Sequence, residues 1–272
     1  MQSLKFSFLG IILFTCIILL NAACVRERDT DMSAVQDQVL GEFIFNNALE
    51  IAEDASTKKT GDNLSNYKTA GYCATITHNE LSNPRTILID FGNVNCIGND
   101  NRSRKGKINV AYTGNLFNDV NNVITITFDN YYIDNHQVFG QSIVTRKPNN
   151  ILLQPVFDIA VTGKYLLPNT LDTLSWNANR TRTWTKGYLT PVFEDDEFEL
   201  IGTGNGVSLN RDYYAMNITK SIIKTGTCRH FTSGKLDIQP QGKSLRSVDY
   251  GNGDCDKNAV AELNTKSFNI DL

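Results

Sequence analysis

The 272-residue chain lacks the short patterns that mark common catalytic machinery. No GxSxG, HExxH or P-loop stands in a usable context, and no dinucleotide-binding glycine motif opens a helix. Gly202, Gly204 and Gly206 fall between strand-like stretches and read as a turn. Histidine is scarce: His78, His136 and His230 are far apart and nominate no triad. Basic residues are not in excess, since 26 Lys and Arg face 29 Asp and Glu, so no nucleic-acid partner is expected. No CxxC occurs, which argues against a thiolate zinc site. No apolar run reaches the roughly 20 residues that a spanning helix needs. With 41% hydrophobic and 20% charged residues, the chain is neither disordered nor a polytopic membrane protein. No motif implies a cofactor, and the reading is of a protein that is not an enzyme.

The first residues carry an address. Met1–Lys5 is a short segment with one cation, Phe6–Leu20 is an uncharged, mostly apolar run, and Asn21-Ala22-Ala23-Cys24 follows. Small residues directly before a cysteine resemble the lipobox of bacterial lipoproteins, although Asn21 stands where Leu is usual. Residues 1–23 are therefore read as a lipoprotein signal peptide, with Cys24 the acylated first residue and the membrane a partner through that anchor. A plain signal peptide or an uncleaved anchor is the alternative. Loss of Lys5 moves the formal charge from −3 to −4.

With Cys16 removed and Cys24 lipidated, Cys73, Cys96, Cys228 and Cys255 remain, an even number in a compartment that permits disulfides. An internal repeat orders them. Asp90-Phe91-Gly92-Asn93-Val94-Asn95-Cys96 resembles Asp249-Tyr250-Gly251-Asn252-Gly253-Asp254-Cys255. Each copy follows an earlier cysteine by a similar interval, so Cys73–Cys96 and Cys228–Cys255 are the simplest pairs. The block reads as a strand ending in a tight turn. The same oxygens, Asp249, Asn252, Asp254 and Asp256, are weak calcium candidates that do not follow the EF-hand pattern.

Residues 32–55 predict the one helix, with Val35, Val39, Phe43, Ile44, Ala48, Ile51 and Ala52 at helical spacing and Asp31 or Ser33 as N-cap. Residues 56–70 read as a loop. Beyond it, alternating stretches such as Ile124-Thr125-Ile126-Thr127-Phe128 are cut by Asn, Asp and Gly every 8 to 12 residues or so. The fold expected is mainly β: an antiparallel meander forming a sandwich or strongly curved sheet, with the helix on one face or edge. Domain organisation follows as signal peptide 1–23, lipidated N-terminus with helix and loop 24–70, and a single all-β domain 71–272.

The lipobox, the N-terminal helix and the blocks IDFGNVNC, RKGKINVAYTG, ITFDNYYIDNHQVFG, RTRTWTKGYLTP and VDYGNGDC together resemble a family of uncharacterised lipoproteins common in Bacteroidota. That resemblance implies a Gram-negative outer-membrane location, at the periplasmic face or the cell surface, and no activity. Val25-Arg26-Glu27-Arg28-Asp29 resembles the surface-export signals of that phylum.

One stretch offers a ligand face. A hairpin is expected over residues 170–187, and on its second strand Arg180, Arg182, Trp184 and Lys186 share a side. A ring among cations could stack a sugar and hold its carboxylates; packing of Trp184 under arginine stems is the other reading. Glu194-Asp195-Asp196-Glu197 is read as a solvated acidic loop. The function expected is a non-enzymatic binding or structural protein with a glycan, peptide or envelope-protein partner. A lipid or lipoprotein carrier with a curved, apolar-lined sheet is the alternative, and a hydrolase the second.

Overall fold

Alternation of apolar and polar residues runs through strand after strand, and the chain answers it with one antiparallel sheet of 14 strands that does not close on itself. The computed structural model describes residues 29–58, 60, 73–190 and 192–272. The predicted signal peptide, Cys24 and most of the predicted 56–70 loop lie outside these residues. Asp31–Leu272 forms one compact unit.

The helix α1 spans Ser33–Ser56. The strands are β1 Thr75–Asn79, β2 Arg85–Asp90, β3 Cys96–Ile97, β4 Ser103–Tyr112, β5 Val123–Ile133, β6 His136–Lys147 and β7 Val156–Leu166. Then come β8 Thr173–Lys186, β9 Glu197–Val207, β10 Tyr213–Thr225, β11 Phe231–Pro240, β12 Arg246–Asn252, β13 Asn258–Leu263 and β14 Lys266–Asp271. Sequence order is spatial order, except that the short β3 pairs with β4 beside β2. Short connections make this meander the natural topology.

The sheet curls around α1, which touches strands from both halves, β2, β4, β5, β7, β8 and β11. The helix is therefore enclosed on one face of the sheet, the concave one, and not at an edge. Period-2 patterning sets this up. In β4, Ile108, Val110 and Tyr112 point inward and are buried, while Lys105, Lys107 and Asn109 alternate with them. Glycine makes room where the helix comes close. A Cβ on Gly41 would sit 2.6 Å from the Trp176 ring, and one on Gly163 would sit 2.0 Å from Phe45.

Two apolar cores result. The larger joins Ile44, Phe45, Leu49 and Ile51 of α1 to the inner face of β1–β8. The smaller joins Ala34 and Val35 to β9–β14. Asp31 is not the N-cap residue, a position held by Met32, but its Oδ1 accepts the Ser33 N–H at 2.9 Å.

Two expectations for the middle of the chain are corrected. The stretch 170–187 is no hairpin: β8 runs unbroken through Asn177-Ala178-Asn179, which pair with β7 and β9. Gly202, Gly204 and Gly206 are not a turn but lie inside β9, where a Cβ on Gly206 would meet the Tyr214 hydroxyl at 2.5 Å. In both cases pairing on two sides outweighs local turn propensity.

Candidate ligand-binding cleft

The predicted cation face is the first correction at the level of sites. Arg180 and Arg182 are only 4% exposed each, because β8 turns that face toward α1. Arg180 donates through Nη2 to Glu42 Oε2 at 2.6 Å and through Nε to Oε1 at 3.3 Å, and also bonds the Thr203 carbonyl. Gln38 extends the network, donating to Glu42 at 2.9 Å and accepting the Trp176 indole N–H at 2.9 Å. Arg182 pairs with Glu53 and lies 4.0 Å over the Phe198 ring. Only Lys186 projects to solvent, where it meets Glu197 at 2.7 Å. The guanidiniums neutralise helix carboxylates inside the fold, so the open sugar-stacking face is not formed.

Trp184 belongs to the acidic segment. Its indole N–H donates to Asp196 at 3.1 Å and its ring packs on Phe198. Asp196 is buried, which pushes its carboxyl up to about 7 against the pull of that hydrogen bond, with Asp195 and Glu53 adding repulsion. The residue is therefore not part of a solvated loop. Its ordinary value lies near 4, so the folded state holds the extra proton between about pH 4 and 7, and stability drawn from this group falls as pH rises through that window. Asp196→Asn keeps the acceptor for Trp184 and removes the buried charge. We expect it to match the wild type near pH 4 and to exceed it above pH 7 by on the order of 2 kcal/mol, read from urea unfolding at both pH values. An equal difference at both would refute the assignment. Asp37, raised to about 6 by burial, keeps a similar but smaller pH dependence in both proteins.

The weak calcium set is not assembled. Asp249 pairs with Lys235 at 2.8 Å and accepts the Gly251 N–H at 3.0 Å, and Asp256 accepts the Asn258 N–H at 2.9 Å. Among the described residues no three acids, histidines or cysteines gather as a metal site. The block is turn chemistry.

Cysteine pairing follows the repeat. Cys73–Cys96 and Cys228–Cys255 are bonded, with Cα separations of 5.6 and 5.5 Å. Each bond stands beside one wall of a cleft of about 310 Å³, which opens where the two halves of the sheet face each other across α1. The floor is a helix strip, Phe43, Asn46, Asn47 and Glu50, at i, i+3, i+4 and i+7. One wall is Asp100-Asn101-Arg102, close after Cys96. The other holds Lys224, Arg229 and His230, around Cys228, with Lys257 two residues after Cys255. Arg229 ties the walls together by donating to the Asn99 carbonyl at 3.0 Å.

The cleft lining carries more cations than carboxylates, and three of the cations already hold an acid: Lys224 with Glu50, Arg102 with Asp134, and Lys257 with Asp271 at 3.8 Å. Arg102, Lys224, Arg229 and Lys257 face only Glu50 and Asp100 as lining carboxylates. Glu50 is paired with Lys224 at 3.0 Å, and Asp100 with the fully buried Arg104 at 2.5 Å. Arg102 stacks 4.4 Å over Phe43 and pairs with Asp134 at 2.9 Å. His230 reports the field: burial lowers its affinity for a proton, and Lys224, Arg102 and Arg229 lower it further, with Asp256 opposing.

Apart from His230, named as an isolated histidine, and Phe43, read as part of the helix's apolar spacing, none of these residues stood out in the sequence. The signal that could have found them is the polar strip Asn46, Asn47, Glu50 beside the apolar stripe of the helix, together with cations next to the cysteines. His78 lies on β1, and His136 stands edge-on to Tyr165 at 6.2 Å; neither is among the residues lining the cleft. The concave face is largely apolar, as a carrier would need, but buried arginines on it pair with carboxylates of α1, which occupies the space. No helix among the described residues is long and apolar enough to cross a membrane. No family profile, curated protein or solved structure matches the chain.

Proposed function

We propose that the chain is a lipid-anchored protein of a Gram-negative envelope that binds a small organic anion, such as an acidic sugar, without transforming it. The observation that carries the binding reading is the cleft that four cations line against two carboxylates, with Arg102, Lys224 and Lys257 holding Asp134, Glu50 and Asp271 at its rim and Arg229 donating to a backbone carbonyl. A carboxylate or phosphate entering there gains charge-assisted hydrogen bonds in a partly desolvated space. Support for the anchor, the outer-membrane location and the family is the sequence itself: Cys24 after Ala22-Ala23, and the ordered blocks.

The test uses galacturonate oligomers and inorganic phosphate as probes, measured by calorimetry. Wild type should bind with an affinity that falls as salt rises. Arg229→Glu/Lys257→Glu should weaken binding by about 10- to 100-fold, or about 1.4 to 2.7 kcal/mol of lost ion contact. Ligand should also raise the His230 pKa, visible by NMR, because an anion offsets the three cations around it. Absence of any probe binding, or binding untouched by the double variant, would overturn the reading. Hydrolysis is the second reading, since His230 shares the cleft with Glu50 and Asp100. Both acids are engaged by cations, and neither is among the groups that tune His230. Turnover of a bound probe that is lost in His230→Ala would favour it.

A further inference from the structure

We propose that the β6–β7 turn is a membrane-docking tip whose apolar side chains enter the hydrocarbon boundary of a lipid bilayer. Ile151, Leu152 and Leu153 are consecutive and 98%, 67% and 71% exposed, and Leu189 of the β8–β9 loop is 85% exposed. Contiguous exposed apolar residues on a soluble surface mark an interaction site.

The exposure is built in. Asn150 Oδ1 accepts the N–H groups of Leu152 at 2.9 Å and Gln154 at 3.0 Å, and its own N–H reaches the Gln154 carbonyl at 3.1 Å. Asn149 donates to the Leu153 carbonyl at 2.8 Å, and Leu153 holds a φ of 62°, a left-handed conformation that a leucine seldom adopts. Gln154 Nε2 fastens the turn to the Thr185 carbonyl at 3.1 Å, and the Trp184 N–H donates to the Pro155 carbonyl at 2.9 Å. These bonds fix the turn with its apolar side chains outward.

Shape and area favour lipid over protein. A stable protein contact needs roughly 800 Å² per partner. A few side chains on a convex turn cover much less, and they fit a fluid acyl phase without matching a rigid surface. Nearby charges are mixed, with Lys147 paired to Asp158 at 3.5 Å and Lys186 to Glu197 at 2.7 Å, so a zwitterionic bilayer suffices. This inference stands apart from the anion cleft and would survive its failure.

The test places tryptophan in the full chain, as Leu152→Trp or, for control, Ile201→Trp at a half-exposed site in the middle of β9. Each protein is mixed with phosphatidylcholine vesicles whose acyl chains are brominated. With the emission of the two native tryptophans subtracted, the signal of residue 152 should fall by about half, and that of residue 201 should be unchanged. Ile151→Ser/Leu153→Ser added to Leu152→Trp should abolish most of the quenching. Equal quenching at both sites, or none at residue 152, would overturn the proposal. So would a blue shift of Leu152→Trp that grows with protein concentration without vesicles, which would assign the tip to a protein partner.

Discussion

Replacing Glu42 with alanine is expected to lower the unfolding free energy by about 3–5 kcal/mol, the largest loss for any single side chain discussed. The reason is what would be left behind. Arg180 is 4% exposed and keeps its charge, and its Nη2 and Nε both rely on the Glu42 carboxylate. Gln38 would lose its acceptor as well, which loosens the Trp176 contact. Glu42→Gln preserves shape and some hydrogen bonds and should fall between wild type and Glu42→Ala. Glu42→Met/Arg180→Met removes both charges together and should recover most of the loss, because desolvation of the pair opposes its attraction. Urea denaturation of wild type, Glu42→Met, Arg180→Met and the double variant closes a double-mutant cycle. Glu42→Ala within 1 kcal/mol of wild type would mean that water reaches Arg180 and that the seam is not dry.

Cys228→Ser/Cys255→Ser comes next, with an expected loss of about 3 kcal/mol from the added freedom of the unfolded chain. The loop closed spans 27 residues. Cys73→Ser/Cys96→Ser, which opens a separation of 23, should cost nearly as much. The two differ in what they do to the cleft. Cys228 is fully buried and its carbonyl receives the Lys224 ammonium at 2.6 Å, so its loss frees the wall that carries Arg229 and His230. Anion binding should therefore weaken in both variants, and more in the Cys228/Cys255 variant. Thermal unfolding with and without reductant separates the contributions. Variants as stable as wild type, with unchanged anion affinity, would show that the sheet alone holds the walls.

Much of this molecule is written locally. Ile124, Ile126 and Phe128 alternate with threonines, and a strand with one dry face is the only way to bury them together. Helical spacing from Val35 to Ala52 is equally plain, and the repeated block before Cys96 and Cys255 orders the cysteines. Each of these signals depends on residues a few positions apart. The cysteine pairs are separated more widely, but a repeated sequence marks them.

The destination of a charged side chain is a different matter. Arg180 and Arg182 alternate with threonines just as surface cations do, and although Leu174, Trp176 and Ala178 mark that face of β8 as the inner one, nothing in the strand says what meets the guanidiniums there. Glu42 and Glu53 do, and they come from a helix 138 and 129 residues away in the chain. The cleft is of the same kind, since Asn46, Arg102 and Arg229 meet only after a sheet of 14 strands has curled around α1. Periodicity reports whether a residue has a dry side. What stands on that side, a methyl group or a carboxylate, is set by elements that local sequence cannot see, and only the tertiary structure brings them together.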